Sequence, residues 1–372
     1  MASEVNIMRP THLEVNLPQL QRNLEAIRMH AAPSMVMPMV KANAYGHGID
    51  GVAPFIEPYV DYFGVALPEE GIHLRKLGIT KPILVAGGTL PEQVHLFAEH
   101  DLILTGSSRE LLEAAEEIAR ATGGRIKVHL KIDTGMERVG MREYEAESFL
   151  EFTLKLKHID VEGIYTHLAN SELADRSFSK LQLERFNEVL HIYEKWSEPA
   201  PVIRHINNSG GILNLPEANF EMVRPGVLFY GVYPGEEAER TVQVEPVLKW
   251  KSRVVYSKIT KPGRPISYGS LWHAKAETRI VTIPCGYADG YFRRMTDQAQ
   301  VIIRGRKYPQ VGRICMDQFM VDAGSEGVKV GDEVILLGDG ITVYDLAAWT
   351  GTNEYEVMTN ISARVPRVYL TE

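Results

Sequence analysis

Short apolar runs alternate with stretches of helical periodicity through the first two-thirds of the chain. Runs of this length predict buried strands, and the amphipathic stretches between them predict covering helices. The predicted strands are 35–40, 62–66, 83–86, 102–105, 126–132, 161–165, 202–206 and 220–223, and the helical stretches include 69–77, 109–121, 144–157 and 178–196. The alternation predicts an α/β fold with a parallel sheet closed as a (β/α)8 TIM barrel, with a doubly wound sheet as the alternative. Pro38 is a defect in the first strand, because it removes a ladder donor.

The pattern changes after about residue 234. β-rich runs follow at 247–259, 279–284, 300–303, 308–314, 319–321 and 333–337, separated by turn pairs such as Pro262-Gly263 and Gly331-Asp332. The one clear helical stretch among them is 344–349. We therefore expect a barrel domain over residues 12–236 and a C-terminal, mainly β domain over residues 237–372.

Composition and charge narrow the class of protein. The 372 residues are 45% hydrophobic and 24% charged, which is ordinary for a globular protein. A net charge of −8 provides no broad basic field for nucleic acid or an anionic membrane. The N-terminal residues lack the pattern of a secretory signal, and no apolar run is long enough to span a bilayer. Cys285 and Cys315 are the only cysteines, which excludes a disulfide framework, predicts a cytoplasmic location and leaves both as structural residues with no metal-binding spacing.

Lys41 is the first candidate for chemistry. It ends the apolar run 35–40, where burial is expected and a charge is costly. Desolvation favours the neutral amine, which is the form that attacks carbonyl groups. The alternative is a lysine whose side chain extends from the strand end into water.

Polar residues also follow the last three predicted barrel strands. His167 follows the sixth strand, Asn208 and Ser209 follow the seventh, and Arg224 and Gly226 follow the eighth. Barrel enzymes place their active sites on this face and often bind phosphate with the last two loops. Each residue alone is equally compatible with an ordinary loop or a helix cap. Their shared position at one end of the barrel favours a functional site.

Further blocks place reactive residues beside glycines. Lys131 and Arg138 lie in His-Leu-Lys-Ile-Asp-Thr-Gly-Met-Glu-Arg-Val-Gly140, where a surface strand with alternating charge is the alternative. Tyr268 lies in Ile-Ser-Tyr-Gly-Ser270, where a Gly-flanked turn can expose a tyrosine. A tyrosine hydroxyl ordinarily has a pKa of about 10, so a tyrosine needs nearby positive charge to act as a base.

The block Lys41-Ala-Asn-Ala-Tyr-Gly-His-Gly48 resembles the pyridoxal-phosphate lysine signature of the alanine racemase family, which belongs to the fold-type III enzymes. Pro284-Cys-Gly-Tyr-Ala-Asp-Gly290 and Val311-Gly-Arg-Ile-Cys-Met-Asp-Gln318 extend the resemblance along nearly the whole chain. It implies a barrel followed by a β domain, with residues 1–11 pairing into the β domain. It also implies a homodimer whose active sites are shared between subunits.

The resemblance implies a role for each matching residue. Lys41 carries pyridoxal 5′-phosphate covalently and is one acid/base, and Tyr268 of the partner subunit is the second. The cofactor-binding residues implied are Tyr45, His167, Asn208, Ser209, Arg224, Gly226, Val227 and Tyr355. The substrate-binding residues implied are Arg138, Tyr287, Met316 and Asp317, and Lys131 is a candidate for carbamylation that would hold Arg138.

The expected activity is interconversion of L-alanine and D-alanine, with D-alanine used for peptidoglycan. The pair Asn353-Glu354 departs from the apolar-polar pair common in the family, so a racemase of serine, lysine or several amino acids is the alternative. A non-catalytic pyridoxal-phosphate-binding protein would lack the β domain and Tyr268. A fold-type III decarboxylase would lack the two blocks containing Lys41 and Met316.

Overall fold

The computed structural model describes residues 9–196 and 202–372. It divides into two compact units. Residues 20–44 and 49–245, apart from 197–201, form the barrel unit. Residues 9–19, 45–48 and 246–372 form the second unit, which we call the β unit. The short segment 45–48 therefore groups with the β unit although its neighbours in sequence lie in the barrel.

The first strand, β1 (His12–Asn16), belongs to the β unit. The strands of the barrel unit are β2 Met35–Val36, β3 Phe63–Val65, β4 Ile83–Val85, β5 Ile103–Gly106, β6 Ile126–Asp133, β7 Met141–Arg142, β8 Ile159–Tyr165, β9 Ile203–His205 and β10 Met222–Val223. The helices are Leu17–Ala31, Ile49–Ile56, Pro68–Lys76, His95–Glu99, Arg109–Thr122, Ala146–Thr153, Ser177–Trp196 and Ser209–Asn214.

Parallel pairing confirms the predicted barrel. One sheet runs β3-β4-β5-β6-β8-β9, and β10 pairs with β2. A bridge between Met39 and Gly64 joins the β2 segment to β3. The Arg224 amide donates to the Asn207 carbonyl at 2.9 Å, which joins the segments that follow β10 and β9. Backbone bonds therefore run around all eight strands.

The first predicted strand, 35–40, is regular only over Met35–Val36. Its amides at Met35, Met37 and Met39 still donate toward the β10 segment. On the side of β3, Pro38 has no N–H to donate, and it contributes only its carbonyl, to the Gly64 amide at 3.1 Å. The proline therefore removes one ladder bond without breaking the barrel.

The predicted helix 144–157 is shorter in the structure. A 3-10 turn at Glu143–Glu145 precedes the helix Ala146–Thr153. The prediction of helix 109–121 is confirmed, because Ser108 caps the helix Arg109–Thr122 through the Leu111 amide and Gly123 ends it in the left-handed conformation.

The β unit is built around a nine-stranded sheet in the order β12-β15-β18-β17-β16-β19-β11-β1-β20. Its remaining strands are β11 Leu248–Arg253, β12 Tyr256–Thr260, β13 Pro265–Ile266, β14 Trp272–His273, β15 Thr278–Ile283, β16 Gln300–Ile303, β17 Arg306–Val311, β18 Phe319–Asp322, β19 Glu333–Leu337 and β20 Arg367–Leu370. Its helices are Val343–Thr350 and Glu354–Thr359. The predicted run 247–259 is two strands, since β11 lies inside the sheet and β12 forms its edge.

The N-terminal strand β1 pairs antiparallel with β11 and parallel with β20. Just before it, the Arg9 guanidinium contacts the Asp289 carboxylate at 2.6 Å, and the Thr11 hydroxyl donates to the Pro284 carbonyl at 2.7 Å. The rest of the predicted pairing segment, residues 1–8, lies outside the described residues. Within the two described stretches, no helix combines the length and apolar character needed to cross a membrane.

Candidate active site

Lys41 begins a left-handed turn at the end of the first barrel segment. Ala42, Asn43, Ala44 and Tyr45 all have φ between 51° and 55°. For residues other than glycine this conformation costs roughly 1–2 kcal/mol each, so the surrounding contacts must hold it. The Asn43 side chain accepts the Ile49 amide at 2.8 Å, and the Ala44 amide donates to the Val40 carbonyl at 2.9 Å.

The Lys41 amine has the electrostatic environment that the sequence predicted. Burial lowers its pKa from the ordinary value, and the positive charge of Arg138 lowers it further. The Glu70 carboxylate acts in the opposite direction. A larger fraction of Lys41 is therefore in the neutral amine form at a given pH than for an exposed lysine.

Arg224 lies in the barrel interior with its side chain surrounded by neutral acceptors. The residue is 4% exposed. Its Nη2 donates to the carbonyls of Thr166 at 2.8 Å and Ile206 at 2.9 Å. It also lies 3.3 Å from His167 Nδ1. Burial lowers the pKa of Arg224 to about 10, so the guanidinium still keeps its proton at neutral pH.

Arg224 is the first member of a hydrogen-bonded chain of side chains that continues through two histidines, His205 and His129. Arg224 Nη1 lies 2.8 Å from His205 Nδ1, and His205 Nε2 lies 2.8 Å from His129 Nδ1. Because guanidinium can only donate, His205 must accept at Nδ1 and donate from Nε2. His129 then accepts at Nδ1 and carries its proton on Nε2, which is buried without a hydrogen-bond partner among the described residues. Arg224 thus determines the tautomer of both rings.

Lys131 is buried beside this chain. The residue is 6% exposed. Its Nζ has no hydrogen-bond partner among the described residues and lies 4.7 Å from the Tyr165 ring centre. The Arg224 guanidinium is near the same ring, with Cζ 5.3 Å from its centre. Burial, and then the charge of Arg224, lower the pKa of Lys131 well below its ordinary value. Tyr165 in turn stacks on His205, with ring centres 4.6 Å apart.

The loop after β6 is held by one carboxylate. Asp133 accepts backbone amides from Gly135 at 2.9 Å, Glu137 at 3.0 Å and Arg138 at 3.0 Å. These bonds lower the pKa of Asp133 against the opposing effect of burial. Arg138 itself is exposed, so the structure fixes its backbone while its side chain faces solvent.

The loops after β9 and β10 meet at Ser209. The Ser209 hydroxyl accepts the amides of Gly226 at 2.9 Å and Leu228 at 3.2 Å, with Val227 between them. Asn208 caps the helix Ser209–Asn214, because its side-chain oxygen accepts the Gly211 amide at 3.0 Å. The structure therefore brings the four predicted loop residues Asn208, Ser209, Gly226 and Val227 together.

Positive charge accumulates at this end of the barrel. Burial lowers the pKa of His167 well below its ordinary value, and Arg224, Lys131, Arg138 and Lys41 all act in the same direction. Two guanidinium groups and two lysines of lowered pKa thus influence one ring, and the opposing carboxylates are Asp133 at Lys131 and Glu70 at Lys41. Such an arrangement favours anionic ligands.

In the β unit, Tyr45 and Tyr355 lie side by side. Their ring centres are 6.2 Å apart with planes at 48°. Tyr45 is buried and Tyr355 is half-buried. Tyr355 lies on the helix Glu354–Thr359, whose cap is Asn353, since the Asn353 side chain accepts the Glu356 amide at 2.9 Å.

Tyr268 lies in the turn between the paired strands β13 and β14 and is 72% exposed. The turn is constrained by three residues with positive φ, Ser267, Gly269 and Ser270. The Ser267 hydroxyl donates to the Arg313 carbonyl at 2.6 Å, which ties the turn to the loop that precedes Met316. The predicted exposure of this tyrosine in a Gly-flanked turn is confirmed.

Met316 and Tyr287 lie on adjacent loops of the β unit. The Tyr287 amide donates to the Cys315 carbonyl at 3.1 Å, and the Ala288 amide donates to the Met316 carbonyl at 3.0 Å. Asp317 pairs with the Arg364 guanidinium at 2.7 Å.

Arg364 also contacts the fully buried Asp289 at 2.9 Å. Asp289 binds Arg9 as well, so two arginines share one buried carboxylate and one of them reaches the Met316 loop. Neither cysteine is in a disulfide, and burial raises the pKa of the Cys285 thiol well above its ordinary value, which favours a structural role.

Each unit therefore gathers its own share of the predicted residues. The barrel unit holds Lys41, Lys131, Arg138, His167, Asn208, Ser209, Arg224, Gly226 and Val227, and the β unit holds Tyr45, Tyr268, Tyr287, Met316, Asp317 and Tyr355. Sequence reasoning missed Glu70, Asp133 and Tyr165. It also missed His129 and His205, the two histidines hydrogen-bonded in series to Arg224. His129 begins the quoted block that ends at Gly140, and His205 lies three residues before Asn208. A histidine inside a buried strand carries no local sign of its partners.

Comparisons with known proteins agree with this arrangement. The family model described as "Alanine racemase, N-terminal domain" matches residues 15–234, and "Alanine racemase, C-terminal domain" matches residues 247–369. The alanine racemase of Carboxydothermus hydrogenoformans is 44% identical, over 98% of this chain and 100% of that protein. That of Chlorobaculum tepidum is 42% identical, over 95% of this chain and 94% of that protein.

Solved structures give the same result. The alanine racemase of Clostridium difficile 630 superposes with a TM-score of 0.93 at 37% identity, covering 98% of this chain and 97% of that one. The Bacillus anthracis alanine racemase with bound L-Ala-P has a TM-score of 0.92 at 33% identity, covering 98% and 96%. The chain therefore belongs to the alanine racemase family of isomerases.

Proposed function

We propose that this isomerase interconverts L-alanine and D-alanine with pyridoxal 5′-phosphate and two acid/base groups, Lys41 and Tyr268. The observation that carries the proposal is the end of the barrel where the loops after β9 and β10 meet at Ser209, and where the guanidinium groups of Arg224 and Arg138 both lower the pKa of His167. A phosphate and an amino-acid carboxylate are the anions that such a site accommodates.

The residues present fit this cofactor. Lys41 provides an amine of lowered pKa, and Ser209, Gly226 and Val227 form a loop pair of the kind that binds phosphate in barrels. We assign the phosphate to these loops together with Tyr45 and Tyr355, with Asn208 holding the helix behind them. Bound pyridoxal phosphate supplies a carbonyl carbon for amines and a conjugated ring that stabilises negative charge at the substrate α-carbon.

Arg224 limits how far that ring withdraws electrons. We assign the guanidinium to the pyridine nitrogen, with His167 supporting it at 3.3 Å. With a pKa of about 10, Arg224 keeps its own proton rather than transferring it. Weaker electron withdrawal favours return of the proton to the α-carbon over transamination.

Inversion at one carbon requires acid/base groups on both of its faces. We assign Lys41 to the proton of D-alanine and Tyr268 to that of L-alanine. Tyr268 acts from the partner subunit of a homodimer, and its 72% exposure in a single chain supports a position that a partner can use.

The substrate carboxylate is assigned to Arg138 and the Met316 amide, with Asp317 positioning that loop and Tyr287 at the entrance. Lys131 is assigned as a carbamate. Its lowered pKa supports this, because the neutral amine adds to the carbon of CO2 and releases one proton. The product is an anion among the positive charges of Arg138 and Arg224, so it offsets their repulsion.

Alanine is the proposed substrate, and D-alanine for peptidoglycan in the cytoplasm is the proposed use. Asn353 is accounted for by capping its helix, so its polarity alone does not favour a different amino acid. Racemisation assays over a panel of L-amino acids, with serine and lysine included, decide between alanine and the broader alternative.

The cofactor assignment is tested by reduction with borohydride followed by peptide mass spectrometry. The purified protein should be yellow, and reduction should attach the pyridoxyl group to Lys41. Lys41→Ala should remove the label while the far-ultraviolet circular dichroism stays unchanged. Label on another lysine would refute the assignment.

A further inference from the structure

Glu70 connects two neighbouring barrel segments through backbone amides. Its Oε1 accepts the amide of Ala42 at 2.7 Å. Its Oε2 accepts the amides of Ala66 at 2.8 Å and Leu67 at 3.2 Å. Ala42 follows Lys41 directly, and Ala66 and Leu67 follow β3. One carboxylate therefore ties the turn that begins at Lys41 to the end of the adjacent strand.

These three bonds require a group that accepts at both ends. An ionised carboxylate has two accepting oxygens and no donor, whereas an amide has one oxygen and one NH2. A glutamine at position 70 could satisfy the Ala42 amide or the two amides after β3, but its NH2 would face the remaining donors. Hydrogen bonds to a charged acceptor are also stronger than those between neutral groups.

The turn that Glu70 holds is strained. Ala42, Asn43 and Ala44 have φ of 52°, 55° and 53°, a conformation that residues with a Cβ rarely adopt. Ala42 and Asn43 are exposed, so burial does little to maintain them. Side-chain bonds to the turn must therefore contribute, and Glu70 holds its first amide after Lys41.

We propose that Glu70 is a positioning residue for Lys41, fixing the left-handed turn that aims the amine into the site. The proposal rests on the function proposed for Lys41. Glu70 also opposes the effect of Arg138 on the charge of the amine, since Arg138 and burial lower the pKa of Lys41 and Glu70 raises it.

The test compares Glu70→Gln with Glu69→Gln, which removes the same charge from the exposed neighbouring residue. Hydrogen exchange followed by mass spectrometry measures the peptide containing Ala42 and the peptide containing Ala66 and Leu67. In Glu70→Gln the single amide oxygen serves only one of these sets, so we expect exchange at least about tenfold faster at Ala42 or at Ala66 and Leu67, as expected for loss of a bond to a charged acceptor. Exchange equal to that in Glu69→Gln at all three amides would overturn the proposal.

A second measurement reads the amine itself. After hydroxylamine has removed any carbonyl compound, trace acetic anhydride labels Lys41 at a rate that follows its neutral fraction. The pH at which the labelling rate is half-maximal should be lower in Glu70→Gln than in the original protein, because a negative charge near the amine is lost. It should stay unchanged in Glu69→Gln. An unchanged midpoint in Glu70→Gln would refute the electrostatic effect.

Glu70→Asp keeps the charge but is one methylene shorter, so it cannot reach both sets of amides. We expect faster exchange at Ala42 or at Ala66 and Leu67, with a pH midpoint near that of the original protein. Exchange as slow as in the original protein at all three amides would contradict the proposal. If Glu70→Gln does not fold, this variant still tests the proposal. Neither measurement needs a bound cofactor, so both remain interpretable if borohydride fails to label Lys41.

Discussion

At the scale of single residues, the unusual feature is a set of three histidines near Arg224, of which His129 and His205 are fully buried. His129, His167 and His205 all have pKa values lowered by burial, and Arg224 lowers each of them further. For His129 the pKa falls to about 3. All three rings are therefore neutral at neutral pH, which lets His205 accept from Arg224 and donate to His129.

The neutrality of His129 predicts a pH dependence of stability. In the unfolded chain its pKa is about 6.5, so between about pH 6.5 and 3 the unfolded state binds a proton that the folded state does not. The stabilising contribution is complete above about pH 6.5 and is lost as the pH falls, by up to about 1.4 kcal/mol per pH unit.

Urea unfolding between pH 5.5 and 7.5 measures this contribution above the range in which most carboxylates titrate. His129→Gln should show a smaller decrease in the free energy of unfolding as the pH falls, because it lacks that proton site. His95→Gln, at an exposed position, is the control and should keep the original slope. Equal slopes in His129→Gln and the original protein would contradict the argument.

At the scale of elements, strand pairing decides whether the histidine chain can form. The register of β6 and β8 places Gly163 opposite His129, next to a register shift between Val128 and His129. A Cβ at Gly163 would lie 2.5 Å from His129 Nδ1, the atom that accepts from His205. The glycine therefore provides the space that the ring occupies.

Gly163→Ala should destabilise the protein by about 1–3 kcal/mol, as overpacking in a core typically does. Gly124→Ala is the matched control, since its nearest neighbour would be Thr122 Oγ1 at 3.8 Å. Urea unfolding of both variants measures the difference. A Gly163→Ala protein as stable as the control would mean that the ring or the strand moves at little cost.

At the scale of the whole molecule, the proposed bases lie in different units of the chain, Lys41 in the barrel unit and Tyr268 in the β unit. If the active site is shared between subunits, Lys41→Ala and Tyr268→Phe proteins should complement each other when mixed. A heterodimer would hold one site with both original residues, while each variant alone should lose about 10²–10⁴-fold in rate, or more for the cofactor lysine. Racemisation measured before and after subunit exchange provides the test.

We expect activity to recover only after the subunits have exchanged. Mass labels on the two variants measure that exchange. A mixture of Lys41→Ala protein with a differently mass-labelled sample of the same variant is the control, because it exchanges subunits without restoring a complete site. Absence of recovery despite demonstrated exchange would place both bases on one chain.

Much of this protein was determined by sequence alone. All eight predicted barrel strands contain the observed strands or overlap them, because parallel strands buried on both faces read as continuous apolar runs. The lowered pKa of Lys41 followed from its place at the end of such a run. The first strand was the poorest match, since Pro38 restricts regular pairing to Met35–Val36.

Only the tertiary structure decided how distant residues support the site. Glu70 and Ala42 are 28 positions apart, and His129 and His205 are 76 apart. Local periodicity records which residues are buried, but a hydrogen bond between strands depends on register and on the exact direction of each loop. The left-handed turn after Lys41 has no glycine among the four residues that follow the lysine, so no glycine in the sequence indicates it. The contacts that accompany it come from the folded chain, since Glu70 accepts the Ala42 amide and Asn43 accepts the Ile49 amide.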